Sequence, residues 1–412
     1  MTRPLMLAIL LVTVASTSAP ADPPPKAEAF LTTGKLADGE RALAEALKNA
    51  PDDDQTRFGL GVVQFVRAVE ARMQGFHRHG LRDEVAGGVF RNVLSNLPIP
   101  RNPAPQPLDA RGLRGMLQAW VDDLRKAEAT LAGVKDPNVK LPLHFGLVRL
   151  DFNGDGRADE QETLWKVYTR FNRQVEWKVT PEAARDFVIA FDRGDVDWLR
   201  GYCHLLMAFG EVALAHDFDE LFRETGYLFF RGAKPPHPFL RTGHEPRFDE
   251  EIADFIALIH LIRLPVAEPD RLKAALGHLE AMVSLSRSSW KAILAETDDD
   301  REWIPNPKQA TVMPGGRVSD AMVKGWYEVL DEFEAILAGK KLAPFWRGAN
   351  PRLGVNVRRV FTEPRPLDLV MWVRGSAAAP YLEEGERSTP ATWQRLTRVF
   401  QGEFIGFALW FN

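Results

Sequence analysis

The sequence predicts a mainly α-helical protein, and three observations carry that expectation. Apolar residues recur at helical spacing, period-two alternation is scarce, and proline-rich runs cut the chain into helix-length pieces. The first helix begins near Lys35, with Ala42, Leu43, Ala46 and Leu47 on one face, and stops at Pro51. A second starts at about Asp54 and carries Phe58, Val62, Phe65 and Val69 along one face. Its Gly59 and Gly61 leave room for another helix to come close. The proline-rich stretch Leu97 to Pro107 reads as a loop, and a helix follows over roughly Leu108 to Leu131.

Farther along, Thr180-Pro181-Glu182 combines a capping hydroxyl, a first-turn proline and an acid beside the helix dipole. A helix from about Asp197 to Glu224 turns Leu199, Tyr202, Cys203, Leu206, Ala213 and Leu214 inward. After a long loop over 232–247, helices recur at about 249–263, 269–295 and 319–338. The last of these carries Met322, Val323, Trp326, Leu330, Phe333 and Leu337 and ends at Gly339. The remainder reads as short helical pieces with a buried apolar end, Phe404 to Phe411.

Composition bounds the function. With 45% hydrophobic and 26% charged residues the chain has the balance of an ordinary globular protein. A formal net charge of −4 gives no general attraction for nucleic acid or anionic lipid. Arg3, the apolar run Leu5 to Val14 and Ala19-Pro20-Ala21 have the form of a signal peptide cleaved before Asp22, with a run too short to span a bilayer. The expectation is an exported protein, periplasmic or extracellular, off the membrane once the leader is cleaved. Cys203 is the single cysteine, so no intrachain disulfide is possible. The absence of an N-x-[ST] acceptor leans toward a bacterial secretory route. A chain of 412 residues exceeds one compact core. The expected division is a leader over 1–21, an N-terminal helical region over 22–135, a middle region over 136–230 and a C-terminal helical region over 231–412.

One motif stands out. Asp151, Asn153, Asp155, Gly156, Arg157, Asp159 and Glu162 match D-x-[DN]-x-[DN]-G-x5-E at every ligand position. Calcium takes about six to eight oxygens, so short acids and amides must alternate around a tight turn. Asp151, Asn153 and Asp155 would present side-chain oxygens, and Gly156 permits the positive φ of the turn. Arg157 would offer its carbonyl, Asp159 would bind directly or through water, and Glu162 would close the cage with both oxygens. The exiting helix has Leu164, Val167, Tyr168 and Phe171 on one face. Pro142 and Gly146 interrupt the entering segment, which reads as a short helix or an extended lead-in.

Over about residues 141–172 this segment resembles the EF-hand superfamily. That resemblance implies bound Ca2+. It also implies a paired loop with a branched apolar residue at the position that Ala158 fills, and neither feature is present. Asp192, Asp195 and Asp197 read as a decayed second loop or, better, as caps of the following helix. A lone loop is expected to bind weakly, at about 10⁻⁴–10⁻³ M, and to be structural. Residues 30–75 also resemble a tetratricopeptide unit, in a single copy, through Ala46, Pro51 and Phe58-Gly59. This tilts the helical body toward a protein or peptide partner.

No reaction signature is present: no H-E-x-x-H, G-x-S-x-G, C-x-x-C or P-loop. Cys203 and His204 are adjacent, and helix neighbours diverge by about 100°. His77 and His79 suit the end of a helix. An alternative reading is a secreted hydrolase or lyase, stabilised by calcium, with chemistry near His216, Asp217, Asp219, Glu220, His237 and His244. Trp303 and Phe345-Trp346 lie near prolines and read as exposed platforms.

Overall fold

The computed structural model describes residues 26–82, 99–160, 162–171, 180–240, 248–312, 317–347, 350, 352–400, 404 and 407–408. The leader, His244, the side chains of Tyr168 and Phe171, and residues 405–406 and 409–411 of the apolar end lie outside this set. The described chain is mainly α. In order, it forms α1 (Ala27–Thr33), α2 (Leu36–Asn49), α3 (Asp54–Arg78), α4 (Ala110–Leu131), β1 (Leu141–Leu143), α5 (Leu164–Phe171), α6 (Pro181–Asp186), β2 (Ile189–Phe191) and α7 (Arg193–Ala215). There follow α8 (Asp219–Phe229), α9 (Phe248–Leu261), β3 (Arg263–Leu264), α10 (Pro269–Ile293), α11 (Asp320–Leu337), β4 (Ala343–Pro344), β5 (Leu353–Val355) and α12 (Val357–Thr362). The chain finishes with β6 (Leu367–Asp368), α13 (Leu369–Arg374), β7 (Leu382–Glu384) and α14 (Pro390–Arg398). The strands are short antiparallel pairings, β1 with β2, β3 with β6, and β4 with β5 and β7.

Side-chain oxygens set many of the helix starts. Asp53, Asp109, Thr180 and Ser319 each accept a hydrogen bond from a backbone N–H in the first turn of α3, α4, α6 and α11. The long helices then pack in a row, α2 on α3, α3 on α4, α4 on α7, α7 on α10 and α10 on α11, with α7 against α10 the most extensive contact. Glycines make two of these approaches close: Gly61 of α3 faces Leu131, and Gly210 of α7 faces Val121. Gly59 meets Ala27 of α1, so both glycines read as approach points do serve neighbouring helices.

Two main cores result. One gathers Leu31, Leu43, Phe58, Leu131, Val148, Leu150, Phe152 and Val196. The other gathers Trp165, Ile189, Leu276, Trp290, Trp303, Val329, Phe400 and Phe407. Phe145, Phe191 and Trp198 pack against both.

Two expectations need correction. The helix read over Asp197 to Glu224 is broken, because the Asp217 N–H donates to the Pro265 carbonyl (2.9 Å) and His216 bridges Val266. These tertiary bonds to the lead-in of α10 replace continued helix at His216. Trp303 is no exposed platform: at 3% exposure it lies among Phe145, Phe191 and Trp198. Trp346, by contrast, is half exposed. Both readings of the segment entering the calcium-type loop are met in turn: it is extended first, with Leu141 opposite Phe191 and Leu143 opposite Ile189, and then makes a short 3-10 helix over Phe145–Leu147. The structure also adds α1, whose seven residues are too few to show a period.

A Cβ at position 210 would overlap a methyl group of Val121. Gly210→Val is therefore expected to destabilise the fold by about 1–3 kcal/mol through overpacking, read as a lowered urea midpoint with an unchanged slope.

Candidate metal centre

The loop 151–162 is closed at its base by backbone pairing. The Leu150 N–H donates to the Glu162 carbonyl (2.9 Å) and the Leu164 N–H to the Val148 carbonyl (2.9 Å). Within the loop Gly154 and Gly156 take φ values of 76° and 83°, the left-handed region that a side chain disfavours. This winds the N–H groups of the first half toward Asp151. Its carboxylate accepts from Gly154 (2.6 Å), Asp155 (3.2 Å) and Gly156 (2.8 Å). Asn153 accepts from the Asp155 N–H (2.7 Å) and Asp155 from the Arg157 N–H (2.8 Å). Glu162 spans the ring, accepting from the Phe152 N–H through Oε1 (2.9 Å) and from the Asp159 N–H through Oε2 (3.0 Å). Asp151, Asn153, Asp155, Arg157, Asp159 and Glu162 thus belong to one compact turn, with Asp151 and Glu162 buried.

Sequence reasoning missed a third acid. Glu70 of α3 lies buried beneath the loop and accepts the Asp151 N–H through Oε1 (2.8 Å). Burial pushes its carboxyl up to about 7, and the charges of Asp151 and Glu162 add to the shift. Glu162 is raised as well, first by burial and then by Asp159 and Asp151. Among the described residues no lysine or arginine hydrogen-bonds any of these three carboxylates. Buried acids of this kind favour protonation or a cation. No sequence spacing links position 70 to the loop, so only the fold could reveal it.

The neighbouring acidic run has another use. Asp192 is the N-cap of α7 and accepts from the Gly194 N–H (2.8 Å), while Asp195 accepts from the Asp192 N–H (2.9 Å), a reciprocal capping box. Asp197 pairs with Arg193 (3.1 Å) and Arg200 (3.0 Å). The run is a cap rather than a loop. Glu296 and Glu302 approach Asp192 from distant sequence, one carboxylate oxygen of each lying within 4.8 Å of the others. Burial and the Asp192 charge push Glu296 up to about 8, so a proton shared with Asp192 relieves the repulsion.

The histidines separate. His216 is buried, with Nδ1 at 2.8 Å from the Val212 carbonyl of its own helix. His237 stacks on Phe239 (5.1 Å) in a groove with Glu224, Tyr227 and Asp254, which His216 does not line. The Tyr227 hydroxyl donates to Asp254 (3.3 Å), and burial pushes this phenol up to about 12. His77 and His79 sit at the end of α3, and His79 Nδ1 lies 3.1 Å from the Gln106 carbonyl. Cys203 is fully buried with its thiol pushed up by burial, which makes it a core residue. His204, beside it, meets His278 of α10 with the two Nδ1 atoms 2.9 Å apart, and Glu128 lies 3.6 Å from its other nitrogen.

That histidine pair sets a pH response. Burial, followed by the neighbouring His204, holds His278 below its usual 6.5, so the folded state binds this proton less readily than the unfolded chain. Below about pH 6.5 the unfolded chain binds the proton more readily, and this part of the stability is lost as pH falls. Between pH 7.5 and 5.5 this residue pulls the thermal midpoint down, against the raised carboxyls of Glu70 and Glu296, which push it up. His278→Asn should therefore shift the change in midpoint over that range toward stabilisation relative to the parent chain; identical changes would show the pair is silent.

No family model, curated protein or solved structure matches the chain.

Proposed function

We propose that this is an exported calcium-binding protein in which loop 151–162, of EF-hand type, holds Ca2+ as a structural clamp. Asp151, Asn153 and Asp155 give side-chain oxygens, Arg157 its carbonyl, Asp159 an oxygen directly or through water, and Glu162 both carboxylate oxygens. The observation that carries this reading is where the two arms of the loop go. Val148, Leu150 and Phe152 enter one hydrophobic core, and the exiting helix straddles both, with Trp165 in the second core and Leu164 and Val167 against the first. An ion that fixes the loop therefore fixes the joint between the cores. The buried charge of Asp151 and Glu162 gives the ion its attraction.

The rest of the helical body is assigned to binding a protein or peptide. In support, α9 exposes Ile252, Phe255 and Ile256, and α13, packed against α9, exposes Val370 and Val373. Ala46 and Phe58-Gly59, through which the segment resembles a tetratricopeptide unit, lie in α2 and α3. The hydrolase or lyase reading has less support, since His216 is turned back onto its own helix.

The decisive measurement is the thermal midpoint of the mature protein in excess EGTA and in 10 mM calcium. For a dissociation constant of about 10⁻⁴–10⁻³ M, mass action should stabilise the fold by roughly 1.4–2.7 kcal/mol. Glu162→Gln should remove that gain. An unshifted midpoint, together with no calcium by metal analysis, would reject the clamp.

A further inference from the structure

A calcium loop that pairs with a second loop borrows rigidity from it, and this one has found rigidity elsewhere. Asp151, the first ligand position, has both of its backbone groups tied to α3. Its N–H donates to Glu70 Oε1 (2.8 Å), and its carbonyl accepts from Gln74 Nε2 (2.9 Å). Positions 70 and 74 are one helical turn apart, so the two side chains reach the same edge of the loop. The Gln74 side chain also lies beneath Gly154, where an added Cβ would sit 3.7 Å from Gln74 Cγ. On the opposite flank Ala158 fills the space left by Gly34, which ends α1 at φ 69°.

We propose that α3 is the loop's structural partner, and that Glu70 is a positioning residue which sets calcium affinity from outside the twelve-residue motif. This rests on the calcium reading above. Glu70 acts through geometry: as an acceptor it pins the peptide that carries Asp151, so the carboxylate is in place before the ion arrives. Gln74 holds the carbonyl of the same residue from one helical turn away.

The test is isothermal titration of calcium into the full mature chain and four variants, with the apo thermal midpoint measured in EGTA. Outer-shell substitutions typically weaken metal binding by about 10–100-fold, and Glu70→Ala should fall in that range. Glu70→Gln keeps an oxygen for the Asp151 N–H and should recover part of the loss. Gln74→Leu should weaken binding by about tenfold, the lower edge of outer-shell effects. Glu332→Gln is the control, a buried acid paired with Lys341 in the C-terminal core. It should lower the apo midpoint and leave affinity unchanged.

Wild-type affinity in Glu70→Ala would overturn the positioning role while leaving the calcium loop intact. If Glu70→Ala does not fold, Glu70→Gln and Gln74→Leu decide the matter, and wild-type affinity in both overturns the proposal. An equal loss of affinity in the Glu332→Gln control would also overturn it, by showing a general effect of stability. A wild-type chain that takes up no calcium defeats the functional reading itself, and this inference with it.

Discussion

Asp151 is held from every side. Three backbone N–H groups of the following turn converge on its carboxylate, and α3 grips its own N–H and carbonyl. The cost of removing that charge from water is offset by this shell of donors. The turn cannot unwind without exposing them, and the two glycines at positive φ allow it to form. The hydrophobic arms on either side then inherit a fixed geometry. Phe152 and Trp165 are committed to different cores by a loop whose shape was decided by hydrogen bonds to one acid.

A second ordering principle runs through the helix row. The interfaces of α4, α7 and α10 are not purely apolar. Glu211 of α7 is buried and meets both Arg125 of α4 (3.2 Å) and Arg271 of α10 (2.7 Å). Arg271 also reaches Glu268 and Gln118, and Arg114 pairs with Glu268 and the carbonyls that end α7. Such a network contributes little net stability relative to apolar packing, and because Glu211 has two arginine partners its buried charge is left unpaired only when both are removed. Its main effect is to fix which helix faces which.

Much of this fold was legible as pattern. The helices near residues 36, 54, 110, 269 and 320 all appear where apolar spacing and capping residues placed them, because local chemistry and burial agree there. The loop's geometry was legible too, since glycine and short acids at fixed spacing leave few conformations. What the pattern could not hold was long-range. His216 ends a helix because Pro265 offers an acceptor, and Glu70, Glu296 and Glu302 join their clusters only after the chain has folded. Trp303 was misplaced for the same reason: a neighbouring proline marks irregular backbone but says nothing of which side chains will cover it.

The contact between Gly34 and Ala158 constrains how such a chain can change over time. The two positions share a volume large enough for one methyl group, and that group now belongs to residue 158. They form a single steric allele written at two distant places. Enlarging either residue alone is opposed by packing, and at position 34 by the left-handed backbone as well. A branched residue at position 158 is therefore compatible only with a chain in which the turn between α1 and α2 stands farther from this edge of the loop.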